Sequence, residues 1–579
     1  MVHRRKESKE SFVLERIISF FEKERLNLLG VFLWILLVSI IRMVLESHLF
    51  SYQRSFPDII FWYAHTVSFF LTVFIGGVLI LKFVTKERIG KIANLASLGF
   101  TVVIFPPLFD FFIFHRSNSY FYILRENFLD AATSFFYKIG SFYESGPNVG
   151  GPGLLIELTG IMVATSLYVY IKTKSLHKAI INFFIFYLFI LLIVTPALNP
   201  LIYQFQAGSS VAIQPLLFLH YFVLSLIFLV ILLKISKGRL LSSFIKSARL
   251  LTTLHALAMV LLGVLIAGFI CYNPLNITDL SNVDIINYTD ANVTSLLNVI
   301  DTTRFKLFTS AGNIGMLGIS LFTILFLWQY AVMINHVYDI DIDKKTNKDR
   351  ILVRGMLTIY QVKKMAIIFA IIAVGLAFLL GIHIVILVFI SLFLGTIYSI
   401  PPLRLRNKIF STIFIGLGST IAFLIGYYTP SYIPTNHALV FSFRQTQSII
   451  NVEMQCEMVK NIPVMTIDVI GIGLLIFIAL SIGPIIKDLK DYESDKIAGV
   501  KNIFTVYGKE KGINIAAMLL FITFISPLIL FRGIYDILIF IPTGIISAII
   551  FKKFEEVQPI FLLYFLVLLY CVTRWFNIL

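Results

Sequence analysis

Charge is what this chain has least of. Asp, Glu, Lys and Arg make up 14% of its 579 residues, against 58% hydrophobic and 15% aromatic side chains. So few charges cannot cover the surfaces of several soluble domains, and a chain this apolar does not stay disordered. Cysteine is nearly absent: Cys271, Cys456 and Cys571 have no metal-ligand spacing and build no disulfide framework. Acids are scarcer than bases, 32 Asp and Glu against 48 Lys and Arg, for a formal net charge of +16. At a mean hydropathy of +0.89 that excess is read as cytoplasmic loop anchoring, and no nucleic-acid partner is expected.

A membrane-crossing helix takes about 20 mostly apolar residues. Six such segments fall at about 27–45, 58–82, 92–114, 153–172, 178–197 and 214–234, with Pro106-Pro107 expected to kink the third. Nine more follow at about 250–271, 308–334, 363–381, 382–400, 409–429, 463–486, 513–531, 535–551 and 557–577. The fold expected is an all-α, polytopic transmembrane helical bundle of about 15 spans. Its expected domains are a six-span unit, 1–234, with no assigned role, a basic cytoplasmic linker, 235–248, and a nine-span unit, 249–579. No repeat relates the two units.

Orientation follows from the basic residues. With the amino terminus inside, Arg4, Arg5, Lys86, Arg88, Lys174, Lys237, Arg239, Lys344 and Lys509 all fall on the inner side. Residues 10–25 have apolar side chains at helical spacing, as in a helix lying on the membrane surface. The run from Asn27 to Leu45 lacks a cleavage site and is read as a retained span. The outer loop 272–307 carries sequons at Asn276, Asn287 and Asn292. In the first unit, Asp110, His115 and Arg116 gather near the outer end of the third span and Glu157 lies just inside the fourth. Lone polar residues at span ends are read as interfacial anchors. The segment 119–143 is expected to form an amphipathic helix, followed by a flexible glycine-rich stretch.

The few acids are not spread evenly. Residues 335–349 hold four and residues 488–495 hold four, both at the cytoplasmic end of an expected span. Asn335, Asp339 and Asp343 are spaced i, i+4, i+8, within a helical face of roughly 80°. Asp488, Asp491 and Asp495 are spaced i, i+3, i+7, again on one face. One such face would pass for a solvated helix end with Lys344, Lys345, Lys490 and Lys496 as counter-ions. Two at one membrane depth suit hard cations better: Mg²⁺ takes oxygen ligands, keeps waters and is completed by substrate phosphates.

These residues resemble a known family. Asn335-His-Val-Tyr-Asp339-Ile-Asp-Ile-Asp343, followed by Arg350 and Gly355, is similar to the first aspartate motif of the UbiA superfamily of intramembrane prenyltransferases. Asp488-Leu-Lys-Asp491-Tyr-Glu-Ser-Asp495-Lys496, leading to Gly499, Asn502 and Gly508, resembles its second, and Tyr398-Ser-Ile-Pro-Pro-Leu-Arg404-Leu-Arg406 resembles its conserved loop. The resemblance covers residues 245–579 and leaves 1–234 unexplained. It departs at His336, where the family has Asp and where imidazole is a poor Mg²⁺ ligand. His255 falls loosely where relatives carry a site-facing Asn.

The resemblance implies Mg²⁺-dependent transfer of an isoprenyl group from a prenyl diphosphate donor to a hydrophobic or amphiphilic acceptor. Its catalytic residues would be Asp339, Asp343, Asp491 and Asp495. The metal ligands would be Asn335, Asp339, Asp343, Asp488, Asp491 and Asp495, and Arg350, Tyr398, Arg404 and Lys496 would bind diphosphate. Metal ions and fixed cations suit this reaction because ionisation of an allylic diphosphate leaves a multiply charged pyrophosphate. Arg406 and Lys408 are read as anchors. A lipid or quinone-type acceptor is expected, with the first motif reading closest to enzymes of ether-lipid, quinone and chlorophyll synthesis. The rival reading is a cation-coupled transporter, though carriers place ionisable groups near the midplane. Oligomeric state is not encoded in any motif here.

Overall fold

The computed structural model describes residues 15–16, 18–23, 26–49, 56–113, 115, 152–194, 214–271, 311–346, 350–429, 467–490, 492–555 and 558–575, and every regular element among them is a helix. The sequons, Arg116, the segment 119–143, the glycine-rich stretch after it as far as residue 151, and Asp491 lie outside the described residues. Eleven described helices are long and apolar enough to cross a membrane, accompanied by shorter apolar helices at Thr252–Ala267, Ser411–Tyr427 and Leu562–Cys571. The protein is an integral membrane protein built as an all-α bundle. Each segment drawn from hydropathy holds a helix, although by length and composition alone eleven qualify as spans.

The chain divides into two compact units, Met1–Leu241 with Thr309–Gly315, and Ser242–Phe308 with Met316–Leu579. The first contains α1 (Leu28–Leu49), α2 (Phe56–Thr85), α3 (Ile89–Gly99), α4 (Phe105–Phe112), α5 (Pro152–Thr173), α6 (Leu176–Val194) and most of α7 (Gln214–Ser247). Its core includes Ile35, Val78, Ile92, Val169 and Tyr187. The third apolar segment is broken near its prolines: α3 ends at Gly99, a 3₁₀ turn covers Phe100–Ile104, and α4 restarts with Pro106 and Pro107 in its first turn. There the missing N–H groups have no helical partner to lose.

Two acids read as interfacial anchors are inside the unit instead. Asp110 is fully buried and its Oδ1 accepts the Gly153 N–H at 2.7 Å, holding the start of α5. Glu157 is 7% exposed. A carboxylate pays a desolvation penalty when it leaves water, so a fixed donor such as the Gly153 N–H changes the outcome in a way sequence cannot show. The amino-terminal segment is bonded to the bundle as well: Glu22 accepts from the Tyr168 hydroxyl at 2.9 Å and pairs with Lys172 at 2.6 Å. The basic stretch 235–248 is helical through Ser247. At Lys237, φ −143° and ψ 53° kink α7 into two helical pieces, and Lys, Arg and Leu keep the piece after the kink helical even where hydropathy drops.

The second unit contains α8 (Leu250–Cys271), most of α9 (Ala311–Tyr338), the short α10 (Ile340–Thr346), α11 (Ile359–Leu380), α12 (Ile382–Ser399), α13 (Ser411–Tyr427), α14 (Ile467–Lys490), the short α15 (Tyr492–Ala498) and α16 (Ile503–Tyr507), α17 (Lys509–Ile525), α18 (Ile534–Phe554) and α19 (Gln558–Trp575). Helix α8 lies along α13, α13 along α14, and α17 along α18. The first of these pairs closes on glycine. A Cβ added to Gly263 would stand 2.1 Å from the Phe423 carbonyl oxygen, and one added to Gly426 would stand 2.1 Å from that of Val260. Small residues allow such approach between helices that lipid does not otherwise drive together. Gly263→Leu is expected to force the backbones apart at about 3 kcal/mol or more. Loss of the monodisperse peak in detergent gel filtration is the expected readout; an unchanged profile and melting temperature would contradict this packing.

Candidate active site

The first acidic face is continuous in the structure although the helix is interrupted at Asp339. The Asp339 N–H donates to the Asn335 carbonyl at 3.0 Å and the Asp343 N–H to that of Asp339 at 2.8 Å, so the three side chains follow one helical ladder from α9 into α10. All three are buried, Asp339 to 2% exposure. Asp341, on the other face, is exposed and meets only Lys344, at 3.4 Å. His336 sits one residue, and so about 100°, off the acidic face. Its Nε2 lies 3.3 Å from the Ser247 carbonyl oxygen, and it lines a cavity of about 220 Å³ with Lys246, Arg350 and Arg354.

Guanidinium groups, not lysines, face these carboxylates. Arg406 forms an ion pair with Asp339 and donates to Asn335 Oδ1 at 3.2 Å. Arg404 donates to the Tyr338 carbonyl at 2.7 Å and stands 3.6 Å from Asp339 Oδ1, while Arg350 stands 3.7 Å from Asp343. Arg404 adopts a left-handed backbone, φ +35°, a conformation costing an L-residue on the order of 1–2 kcal/mol. Its two side-chain contacts keep it there. Arg249, also left-handed at φ +45°, occupies the turn between α7 and α8. That turn is pinned by Gln329, whose Nε2 donates to the Ala248 carbonyl at 3.0 Å and to Thr253 Oγ1 at 2.9 Å.

The second acidic stretch comes up against the first: α15 packs on α10. Asp495 Oδ2 accepts from Asn502 Nδ2 at 2.8 Å, and Asn502 in turn caps α16 through the Thr505 N–H. Gly499 and Gly508 hold φ values of +70° and +85°, which only glycine adopts at no steric cost, so these motif glycines shape the turns after α15 and α16. Asp488, at the end of α14, lies within Coulombic range of Tyr398, and Asp495 within that of Arg406. Lys496 is exposed, its Nζ 5.8 Å from the Tyr492 ring centroid.

The charges of the site strain one another. Burial pushes the Asp343 carboxyl up from its ordinary value, while Arg350 and Arg249 pull it back. Burial and the nearby Arg249 bring the Arg406 guanidinium down to about 10, with Asp495 opposing. Burial and Arg350 lower Arg249 in the same way, opposed by Asp343 and Tyr398. Desolvation disfavours both signs, so a bound cation would be favoured by the acids and a multiply charged anion by the arginines. The donor set suits Mg²⁺, since Asp339, Asp343, Asp488, Asp495 and Asn335 offer oxygen alone. Among the described residues no three His, Cys, Asp or Glu side chains already converge on one metal position.

Of the residues named from sequence, Asn335, Asp339, Asp343, Arg350, Tyr398, Arg404, Asp488 and Asp495 fall in this neighbourhood; Lys496 points out over a tyrosine ring. Arg406, read as an anchor with Lys408, is instead bonded to Asn335 and Asp339, the first two members of the acidic ladder, whereas Lys408 is exposed. Arg249 carries no motif, and its position depends on tertiary packing at the α7–α8 turn. Asn502 stood in the second motif without a role. His255, with Nε2 3.3 Å from Ser419 Oγ, contacts α13 within the bundle.

Residues 307–559 match the UbiA prenyltransferase family model. Over 224 residues the chain is 28% identical to digeranylgeranylglyceryl phosphate synthase of Saccharolobus solfataricus, spanning 38% of this chain and 68% of that protein. A solved UbiA homologue from Archaeoglobus fulgidus, bound to GPP and Mg²⁺, aligns with a TM-score of 0.31 at 19% identity, covering 44% of this chain and 86% of that one. A structure concerning digeranylgeranylglyceryl phosphate synthase aligns with a TM-score of 0.36 at 17% identity, covering 57% and 94%. Residues 307–559 of this membrane-embedded chain thus form a domain matched by the UbiA prenyltransferase family model, and prenyl transfer is the activity which that match indicates.

Proposed function

We propose that the carboxy-terminal unit transfers an isoprenyl group from a prenyl diphosphate to an amphiphilic lipid acceptor, with Mg²⁺ as cofactor and the site on the cytoplasmic side. The observation that carries this reading is the packing of α10 on α15, which brings two acidic segments together among Arg249, Arg350, Arg404 and Arg406. Asn335, Asp339, Asp343, Asp488, Asp491 and Asp495 would hold the metal. When bound, it supplies Lewis-acid stabilisation of charge developing on the leaving pyrophosphate. The arginines and the Tyr398 hydroxyl bind and orient the diphosphate oxygens, the planar guanidinium fork matching phosphate geometry. The ladder of Asn335, Asp339 and Asp343 holds its carboxylates in register, so little reorganisation accompanies the reaction. A lipid acceptor is favoured over a quinone precursor by the similarity to digeranylgeranylglyceryl phosphate synthase.

The experiment is an acceptor panel with one radiolabelled prenyl diphosphate and purified full-length protein. Label is expected to pass to a glycerol-phosphate ether in preference to an aromatic acid or quinone precursor. Chelation by EDTA is expected to stop transfer, and excess Mg²⁺ to restore it. Equal transfer with and without chelator would overturn the metal assignment; labelling of the aromatic acceptor alone would overturn the lipid one.

A further inference from the structure

The first unit contains a cavity of about 780 Å³, within the range of small-molecule sites. Its wall is mainly aromatic and aliphatic, with Trp62, Phe69, Phe74, Phe100, Phe186 and Ile190 among the lining residues. The cavity is long. It follows α2 from Trp62 to Leu81 and α5 from Leu154 to Ile171, about 25–28 Å at a helical rise of 1.5 Å per residue.

Four ionisable side chains also line it, Arg42, Glu46, His65 and Glu157, and each is more than nine-tenths buried. Arg42 Nε lies 3.5 Å from Glu46 Oε2, and its Nη1 donates to the Val103 carbonyl at 2.7 Å. Glu157 is within Coulombic range of both Arg42 and Glu46, yet has no hydrogen-bond partner among the described residues. These groups sit toward one end of the lining: Arg42 and Glu46 in the last turns of α1, His65 in the early turns of α2, Glu157 in the first turns of α5. A buried carboxyl without a partner is costly unless something supplies a donor.

We propose that this cavity binds a single-chain amphiphile whose head group donates a hydrogen bond to Glu157 and whose apolar tail lies along α2 and α5. The head is an alcohol or an amine, which has a hydrogen to donate to Glu157, not a phosphate, which offers that carboxyl mainly acceptor oxygens and negative charge. A tail of about sixteen carbons, roughly 20 Å when extended given C–C bonds of about 1.5 Å, fits the length. The site belongs to the first unit alone and stands independently of the transfer reaction assigned to the second.

The test measures saturable binding of tritiated hexadecanol, hexadecylamine and hexadecyl phosphate to the full-length protein in detergent. The alcohol or the amine is expected to bind with one site per chain, and the phosphate at least tenfold more weakly. Which of the two binds tighter identifies the head group. Glu157→Leu is expected to weaken binding at least tenfold. A Cβ on Gly160, which lines the cavity, meets nothing within 4 Å. Gly160→Trp therefore fills the space with little backbone disturbance and is expected to abolish binding while elution and melting temperature stay unchanged. Should Glu157→Leu fail to fold, Gly160→Trp decides. No saturable binding of alcohol or amine to the wild type, phosphate binding as tight as either, or wild-type binding by a folded Gly160→Trp protein would overturn the proposal.

Discussion

Asp339→Asn is expected to lower prenyl transfer at least a thousandfold in a protein that still folds. Asp339 is 2% exposed, lies at the centre of the first acidic ladder, and meets Arg404 and Arg406 at once. A thousandfold loss corresponds to about 4 kcal/mol of transition-state stabilisation, in keeping with the several kcal/mol that a Lewis-acid metal supplies. Folding survives because asparagine keeps the shape and both arginines retain other partners. Arg406 still bonds Asn335, and Arg404 still bonds the Tyr338 carbonyl. Leaving one member of a fully buried ion pair alone costs about 3–5 kcal/mol. Here the cost is smaller, since Arg404 and Arg406 are 26% and 28% exposed and water screens them. Turnover of a radiolabelled prenyl diphosphate and a melting curve measure the two effects separately. Near-wild-type turnover would remove Asp339 from the site; loss of turnover with loss of the folded protein would make its role structural.

Arg406→Gln and Lys408→Gln are expected to part company. The first should lose about a hundredfold in kcat/KM, the usual consequence of removing one preorganised donor from a charge-stabilising site. The second should stay within about twofold, as an exposed lysine held to the membrane face only by screened attraction. Arg406→Lys is expected to recover part of the loss, because ammonium keeps the charge but not the planar guanidinium whose Nη1 meets both Asn335 and Asp339. Equal effects at the two positions would return Arg406 to the role of anchor.

That pair also marks how far the residues alone could be read. The apolar helices among the described residues were legible because long apolar runs have few alternatives in a bilayer, and even the break before Pro106-Pro107 follows from local chemistry; the helical basic stretch 235–247 was not. The ladder of Asn335, Asp339 and Asp343 was legible because helical spacing is a property of the chain itself. Which basic residues answer those acids was legible only in part: Arg350 and Arg404 were named, Arg406 and Arg249 were not. Arg404, Arg406 and Lys408 are near neighbours in one loop, and only the left-handed turn at Arg404 and its bond to Tyr338 determine which of them face inward. Arg249 is further still from any motif, placed through Gln329 on a different helix. Asp110 and Glu157 followed the same pattern, since a polar residue near a span end faces headgroups or the bundle according to neighbours that composition does not reveal.

The most direct measurement uses the full-length protein in liposomes with Mg²⁺, radiolabelled geranylgeranyl diphosphate and a glycerol-phosphate ether acceptor, recording pyrophosphate release and labelled product together. The two are expected to rise in equal amounts, to stop together on chelation, and to fall together in Asp339→Asn. Absence of both in the presence of Mg²⁺, with gradient-driven cation uptake into the same vesicles, would contradict prenyl transfer at this site.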